Sequence, residues 1–251
     1  MKTLRSLLTI LLVFVALPVG AEDWPTGSEW LEDAESPINT KAGWILLGGT
    51  GLTVAVIATE DSFAGPWDTW TAKHQPLGKY SKYGDLMGQI LPNALYAGGM
   101  WAAKYYGVSK AGQRAWLMVE ATAYASLITT VLKYNISEGR PYNSAVGSSF
   151  PSGHSTTAFA FAGVVAAEHG WSYGVPAMVL ASFVGYSRIN DNQHRLHDVI
   201  AGATIGLSCA YGLHYAHRAR SQSSGTATVS SFQLLPQPLP GGGEVVALMA
   251  F

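Results

Sequence analysis

Apolar residues gather into runs separated by short polar breaks: Trp44 to Thr59, Leu86 to Ala103, Ala115 to Leu132, Ser155 to Ala167, Val175 to Tyr186 and Val199 to Tyr215. Most of these runs exceed the usual strand length, none alternates strictly, and Ala, Leu and Met are frequent in them, so the pattern predicts helices. Short breaks make neighbouring helices antiparallel. The expected fold class is therefore all-α: one antiparallel bundle of about six helices across residues 41–220. A polar, proline-containing lead, 22–40, precedes it. From Ser221 the composition turns to Ser, Thr, Pro and Gly, giving a C-terminal tail, 221–251, outside the bundle. The apolar end of that tail, Val245 to Phe251, is read as an added strand or a frayed terminus.

The first 21 residues have the layout of an export leader, with Lys2 and Arg5 ahead of an apolar stretch from Leu7 to Leu17 and small residues up to Ala21. The reading places the chain in the periplasm, and an uncleaved anchor is the alternative. Cys209 is the single cysteine, so no internal disulfide forms, and its apolar surroundings mark it as a core residue. Apolar residues make up 48% of the 251 and charged residues 12%, which suits a tight bundle or one in contact with lipid. The net charge of −1 and the scattered cations argue against a nucleic-acid partner. Ser155 to Ala167 is short for a bilayer crossing and Glu120 interrupts another run, so a membrane-associated bundle is preferred to a spanning one. Oligomeric state is not legible.

Three polar clusters fall at ends of apolar runs. The first pairs Lys133 with Arg140-Pro141. A guanidinium fork and a compact ammonium together suit a phosphoryl group. The second is Pro151-Ser152-Gly153-His154, where Ser152 caps a helix opening near Gly153. Backbone N–H groups at such a start favour an anion, and His154 stands next to them, placed to give a proton to a leaving oxygen. The third is Ser187-Arg188, His194 and Asp198. His194 and Asp198 are spaced to share the face of a helix beginning near His194, so the carboxylate can hold one ring nitrogen while the other faces a substrate. His197 is the rival imidazole, disfavoured because its neighbour spacing to Asp198 sends the two side chains apart. An up-down bundle collects these four helix ends on one face. Trp67, Trp70 and Trp101 read as core aromatics before they read as a substrate wall.

Taken in order, Lys133-x6-Arg140-Pro141, Pro151-Ser152-Gly153-His154 and Ser187-Arg188-x5-His194-x3-Asp198 resemble the full signature of the type 2 phosphatidic acid phosphatase (PAP2) and vanadium haloperoxidase superfamily. The resemblance implies a phosphatase of the periplasmic or membrane type, acting on a phosphorylated lipid or a small phosphomonoester. His194 would attack phosphorus to form a phosphohistidine, Asp198 would orient it, and His154 would serve as acid and then base. Lys133, Arg140, Ser152, Gly153 and Arg188 would bind the phosphate oxygens. It implies no metal and no cofactor, in keeping with the lack of a Cys pair or a His-x-x-Glu-His type of ligand cluster. A soluble acid phosphatase, a haloperoxidase and a non-catalytic phosphate binder are the competing readings.

Overall fold

The computed structural model describes residues 27–145 and 147–226 and two strands at 232–239 and 242–249. The expected leader, residues 1–21, lies outside the described residues. By contacts the chain divides into two units, Met1–Tyr215 and Ala216–Phe251.

The helices in chain order are α1 (Gly27–Asn39), α2 (Gly43–Ala58), α3 (Gly65–His74), α4 (Ser81–Met87), α5 (Leu91–Tyr105), α6 (Ala111–Asn135), α7 (Gly153–His169), α8 (Trp171–Asn190) and α9 (Leu196–Thr226). All six apolar runs are helices, as their pattern requires. The run beginning at Leu86 is divided: α4 ends at Met87, and α5 opens with Pro92 in its first turn, where a missing N–H costs nothing. The pattern did not announce α1, α3 or α4. These are short or polar, and contacts with other elements hold them: Trp67 of α3 packs on Tyr186 of α8, and Tyr124 of α6 donates to the carbonyl of Trp30. In the second unit, strands β1 (Phe232–Leu239) and β2 (Gly242–Met249) pair antiparallel, from Phe232 opposite Met249 to Leu239 opposite Gly242.

Small residues bring α7, α8 and α9 together. A Cβ on Gly206 would lie 2.4 Å from the carbonyl oxygen of Thr156 and 2.7 Å from the amide of Ala160, so the α9 and α7 backbones touch there. A Cβ on Gly163 would lie 2.7 Å from Ala210 Cβ, and one on Gly174 2.6 Å from Ala166 Cβ. Around them Leu117, Met118, Val164, Val184 and Leu213 fill the core. Asn93 donates to Thr122 Oγ1 at 2.8 Å and to the Thr157 carbonyl at 3.2 Å, tying α5 to α6 and α7. Cys209 is a fully buried free thiol in this core, as expected.

Two helices among the described residues, Ala111–Asn135 and Leu196–Ser223, are long and apolar enough to cross a membrane, and α1 with α2, bent by 54°, qualifies as a pair. α2 leaves Trp44, Leu47, Leu52, Val54 and Ile57 exposed. Apolar side chains on several faces of one helix are what a lipid environment tolerates and water does not.

Candidate active site

The end of α6, the start of α7, the end of α8 and the start of α9 meet at one pole. Ser152 N–H donates to the Asp198 carbonyl at 3.0 Å, joining two of the starts. Tyr142 N–H donates to the Asn192 carbonyl at 3.2 Å, which fastens the loop bearing Arg140 to the loop bearing His194. Ser152 caps α7, accepting from Ser155 N–H at 3.4 Å, as the Pro-Ser-Gly pattern predicts. A Cβ built on Gly153 meets nothing within 4 Å, so open space lies beside that helix start.

The chain turns sharply after α8. Asn192 adopts φ +55°, a left-handed conformation that Asn tolerates, and Gln193 and His194 both donate their N–H to the Arg188 carbonyl, at 2.9 and 3.3 Å. His194 therefore precedes α9 instead of sitting on it. The pair expected from helical spacing still forms, with His194 Nδ1 3.3 Å from Asp198 Oδ2. Both residues are buried. The same oxygen of Asp198 accepts from Arg195 N–H at 2.9 Å and from Ser149 Oγ at 2.5 Å. Burial holds the His194 imidazole below its ordinary pKa despite the adjacent carboxylate, so at neutral pH it carries a free ring lone pair.

Each predicted cation is at the site, and each is held differently. Lys133 Nζ donates to the carbonyls of Ser148 and Ser149, at 2.9 and 3.0 Å, and keeps one N–H in hand. Arg140 Nη1 donates to Gln193 Oε1 at 2.9 Å. Arg188 is bound by Asp191 at 3.1 Å and by Asp85. The Nε groups of Arg140 and Arg188 are buried with no hydrogen-bond partner. Buried donors left open beside a helix start suit an incoming anion. His154 Nε2 lies 3.3 Å from Asp85 Oδ1. Burial first, and Arg188 next, push the His154 pKa down to about 4.

His197 belongs to an adjoining cluster and, against the expectation from neighbour spacing, is not turned away from Asp198: its Nε2 lies 3.5 Å from Asp198 Oδ1. Its Nε2 is 3.0 and 3.2 Å from the two oxygens of Glu138, and its Nδ1 is 3.4 Å from Glu60. Arg195 bridges the same two glutamates. Glu138, His197 and Asp198 each bring a potential metal-ligand atom within 4.8 Å of the others, but Arg195 already neutralises Glu138, and Asp198 is engaged with His194. A cavity of about 560 Å³, lined by Asp68, Lys73, Asn192 and His194 among others, opens beside the pair. Asp68 reaches from α3 to accept from Leu196 N–H at 3.0 Å, and burial pushes its pKa up to about 6. Of the tryptophans, Trp101 packs on the core, Trp67 lies against Tyr186, and Trp70 is exposed and stacked on His74.

Residues 114–222 match the family model described as the PAP2 superfamily, and every predicted site residue falls inside that range. That segment belongs to the PAP2 superfamily. A stretch of 79 residues is 43% identical to a lipid A 1-phosphatase of Porphyromonas gingivalis; it makes up 30% of this chain and 17% of that relative. The fold resembles the crystal structure of a transmembrane PAP2-type phosphatidylglycerolphosphate phosphatase from Bacillus subtilis, with 22% identity, a TM-score of 0.54 and coverage of 70% of this chain and 97% of the other.

Four residues that touch the candidate site or its neighbouring cluster were missed in the sequence. Ser149 had a weak local signal, standing two positions before Pro151. Asp85, Glu138 and Gln193 had none, because their partners are distant in the chain or lie in irregular loops.

Proposed function

We propose that the chain is a phosphatase that hydrolyses phosphate monoesters of lipids through a phosphohistidine intermediate. One observation carries the reading: a buried, neutral imidazole, His194, is fixed through Nδ1 by Asp198 at the pole where Lys133, Arg140, Arg188 and the α7 start converge. With Nδ1–H donated to Asp198, the Nε2 lone pair of His194 attacks phosphorus as the bond to the leaving oxygen breaks. His154 delivers a proton to that oxygen, then takes one from the water that cleaves the phosphorus–nitrogen bond. The cations, the Ser152 hydroxyl and the Gly153 amide hold the three equatorial oxygens as charge spreads. Burial and Arg188 hold the His154 pKa at about 4, so the anionic phosphate itself must raise it before the ring can act as acid.

A lipid substrate is favoured by the exposed apolar residues of α2, by the two helices with membrane-crossing length and by the names of the similar proteins. A soluble acid phosphatase would not need that surface. The arrangement of residues 1–21 supports placing the enzyme in the periplasm, associated with the membrane. The test is phosphate release by the purified full chain in detergent, screened against lipid A, phosphatidylglycerophosphate, phosphatidic acid, a polyprenyl diphosphate and an aryl phosphate. Acid-stable or base-stable trapping distinguishes the intermediate: a base-stable, acid-labile phosphoryl-protein is expected, lost in His194→Ala. Turnover that survives His194→Ala overturns the reading.

A further inference from the structure

One carboxylate oxygen inside the site has no place in the scheme above. Asp85 Oδ1 is bound by Arg188 Nη1 and lies 3.3 Å from His154 Nε2. The first of these groups would hold a phosphate oxygen and the second would protonate the leaving one. A single oxygen touching both stands where an oxygen of the substrate has to be.

The local structure is built to put it there. Asp85 lies on α4 between Gly84 and Gly88. A Cβ on Gly84 would come within 2.2 Å of Ser187 Oγ, and one on Gly88 within 2.7 Å of His154 Cδ2 and 2.6 Å of Val184 Cγ1. Both glycines let α4 lie against α8 and the start of α7 without side chains intervening. Thr157 Oγ1 donates to the Gly88 carbonyl at 2.6 Å, and Leu77 N–H donates to Asn190 Oδ1 at 3.0 Å, which anchors the segment on both sides of Asp85. The carboxylate itself stays half-exposed, with a side-chain accessibility of 48%, so it can turn outward while its helix remains in place.

We propose that Asp85 is an internal stand-in for the substrate anion, a positioning residue that holds Arg188 and His154 before substrate binds and that the phosphoryl group must displace. The inference rests on the phosphatase reading and adds a residue that sets how strongly anions bind. Two consequences have opposite signs. The carboxylate keeps the Arg188 guanidinium and the His154 imidazole apart and aimed, which aids turnover. It also competes with the phosphoryl group, which weakens ground-state binding.

The experiment compares the full chain with Asp85→Asn and Asp85→Ala, using calorimetric binding of orthovanadate and steady-state kinetics on an aryl phosphate. Removing the competing charge is expected to tighten orthovanadate binding about tenfold in both variants. KM should fall with it, while kcat falls because His154 and Arg188 lose their alignment. A residue that merely braced Arg188 would have the reverse effect on binding, since a disordered cradle holds anions less well. Orthovanadate affinity that stays the same or weakens in both variants overturns the proposal. Circular dichroism melts separate misfolding from either result, and Asp85→Glu supplies a folded variant that keeps the charge, for which affinity near that of the unaltered chain is expected. Absence of turnover in the unaltered chain, with orthovanadate binding still tightened by Asp85→Asn, would instead sink the phosphatase reading and leave the stand-in intact.

Discussion

The Ser149 hydroxyl donates to Asp198 Oδ2 at 2.5 Å, from a residue that is wholly buried and 49 positions away in the chain. The same hydroxyl lies 3.3 Å from His194 Nδ1. Asp198 is thus braced by a side chain as well as by the Arg195 amide, and the orientation of the imidazole depends on all three groups.

Removal of that brace should slow chemistry more than binding. Ser149→Ala is expected to lower kcat by about tenfold with KM nearly unchanged, since a misaimed imidazole affects the transition state more than the ground state. Steady-state kinetics on an aryl phosphate check this, and an effect confined to KM would contradict it.

The geometry of the Arg140 fork is predicted to matter beyond its charge. Arg140→Lys keeps the cation but gives up the planar donors, one bound to Gln193 and one buried without a partner. A loss of about a hundredfold in kcat/KM is expected, the size seen when one donor to a developing anion is removed.

Acid should weaken the fold through His154. Its pKa is about 4 in the folded chain against 6.5 for the ordinary value, so between those pH values the unfolded chain binds more protons. The stability associated with the neutral ring is present above about pH 6.5 and is lost as pH falls toward 4. His194 is shifted in the same direction by burial and adds to the slope. Thermal melts across this range should show Tm falling with pH, and His154→Gln should flatten the curve. An equal slope in the variant would mean that His154 is not the group responsible.

Close backbone contact between α7 and α9 gives a stability prediction. Gly206→Ala drives a methyl into the Thr156 carbonyl and the Ala160 amide, atoms that cannot rotate away, and is expected to cost about 3 kcal/mol or to displace the helices. Gly48→Ala meets nothing within 4 Å and should be neutral or slightly stabilising. Denaturant titration of both in detergent provides the comparison.

The sequence by itself determined the six principal helices and the residue types at their ends. Apolar periodicity and helix capping act over a few neighbouring residues, and the Ser152 cap formed where Pro151-Ser152-Gly153 announced it. Lys133, Arg140, His154, Arg188, His194 and Asp198 were legible for the same reason: each sits at a break in an apolar run, and an up-down bundle returns alternate ends to one pole. Tertiary structure alone decided where α1, α3 and α4 lie, since their composition is compatible with loop or helix until other elements cover them. It also decided that His197 answers to Glu60 and Glu138, that Ser149 braces Asp198, and that Asp85 reaches Arg188 from 103 positions away. Those contacts depend on the depth to which helices approach one another, a property of packed side chains and missing ones, which no local pattern encodes.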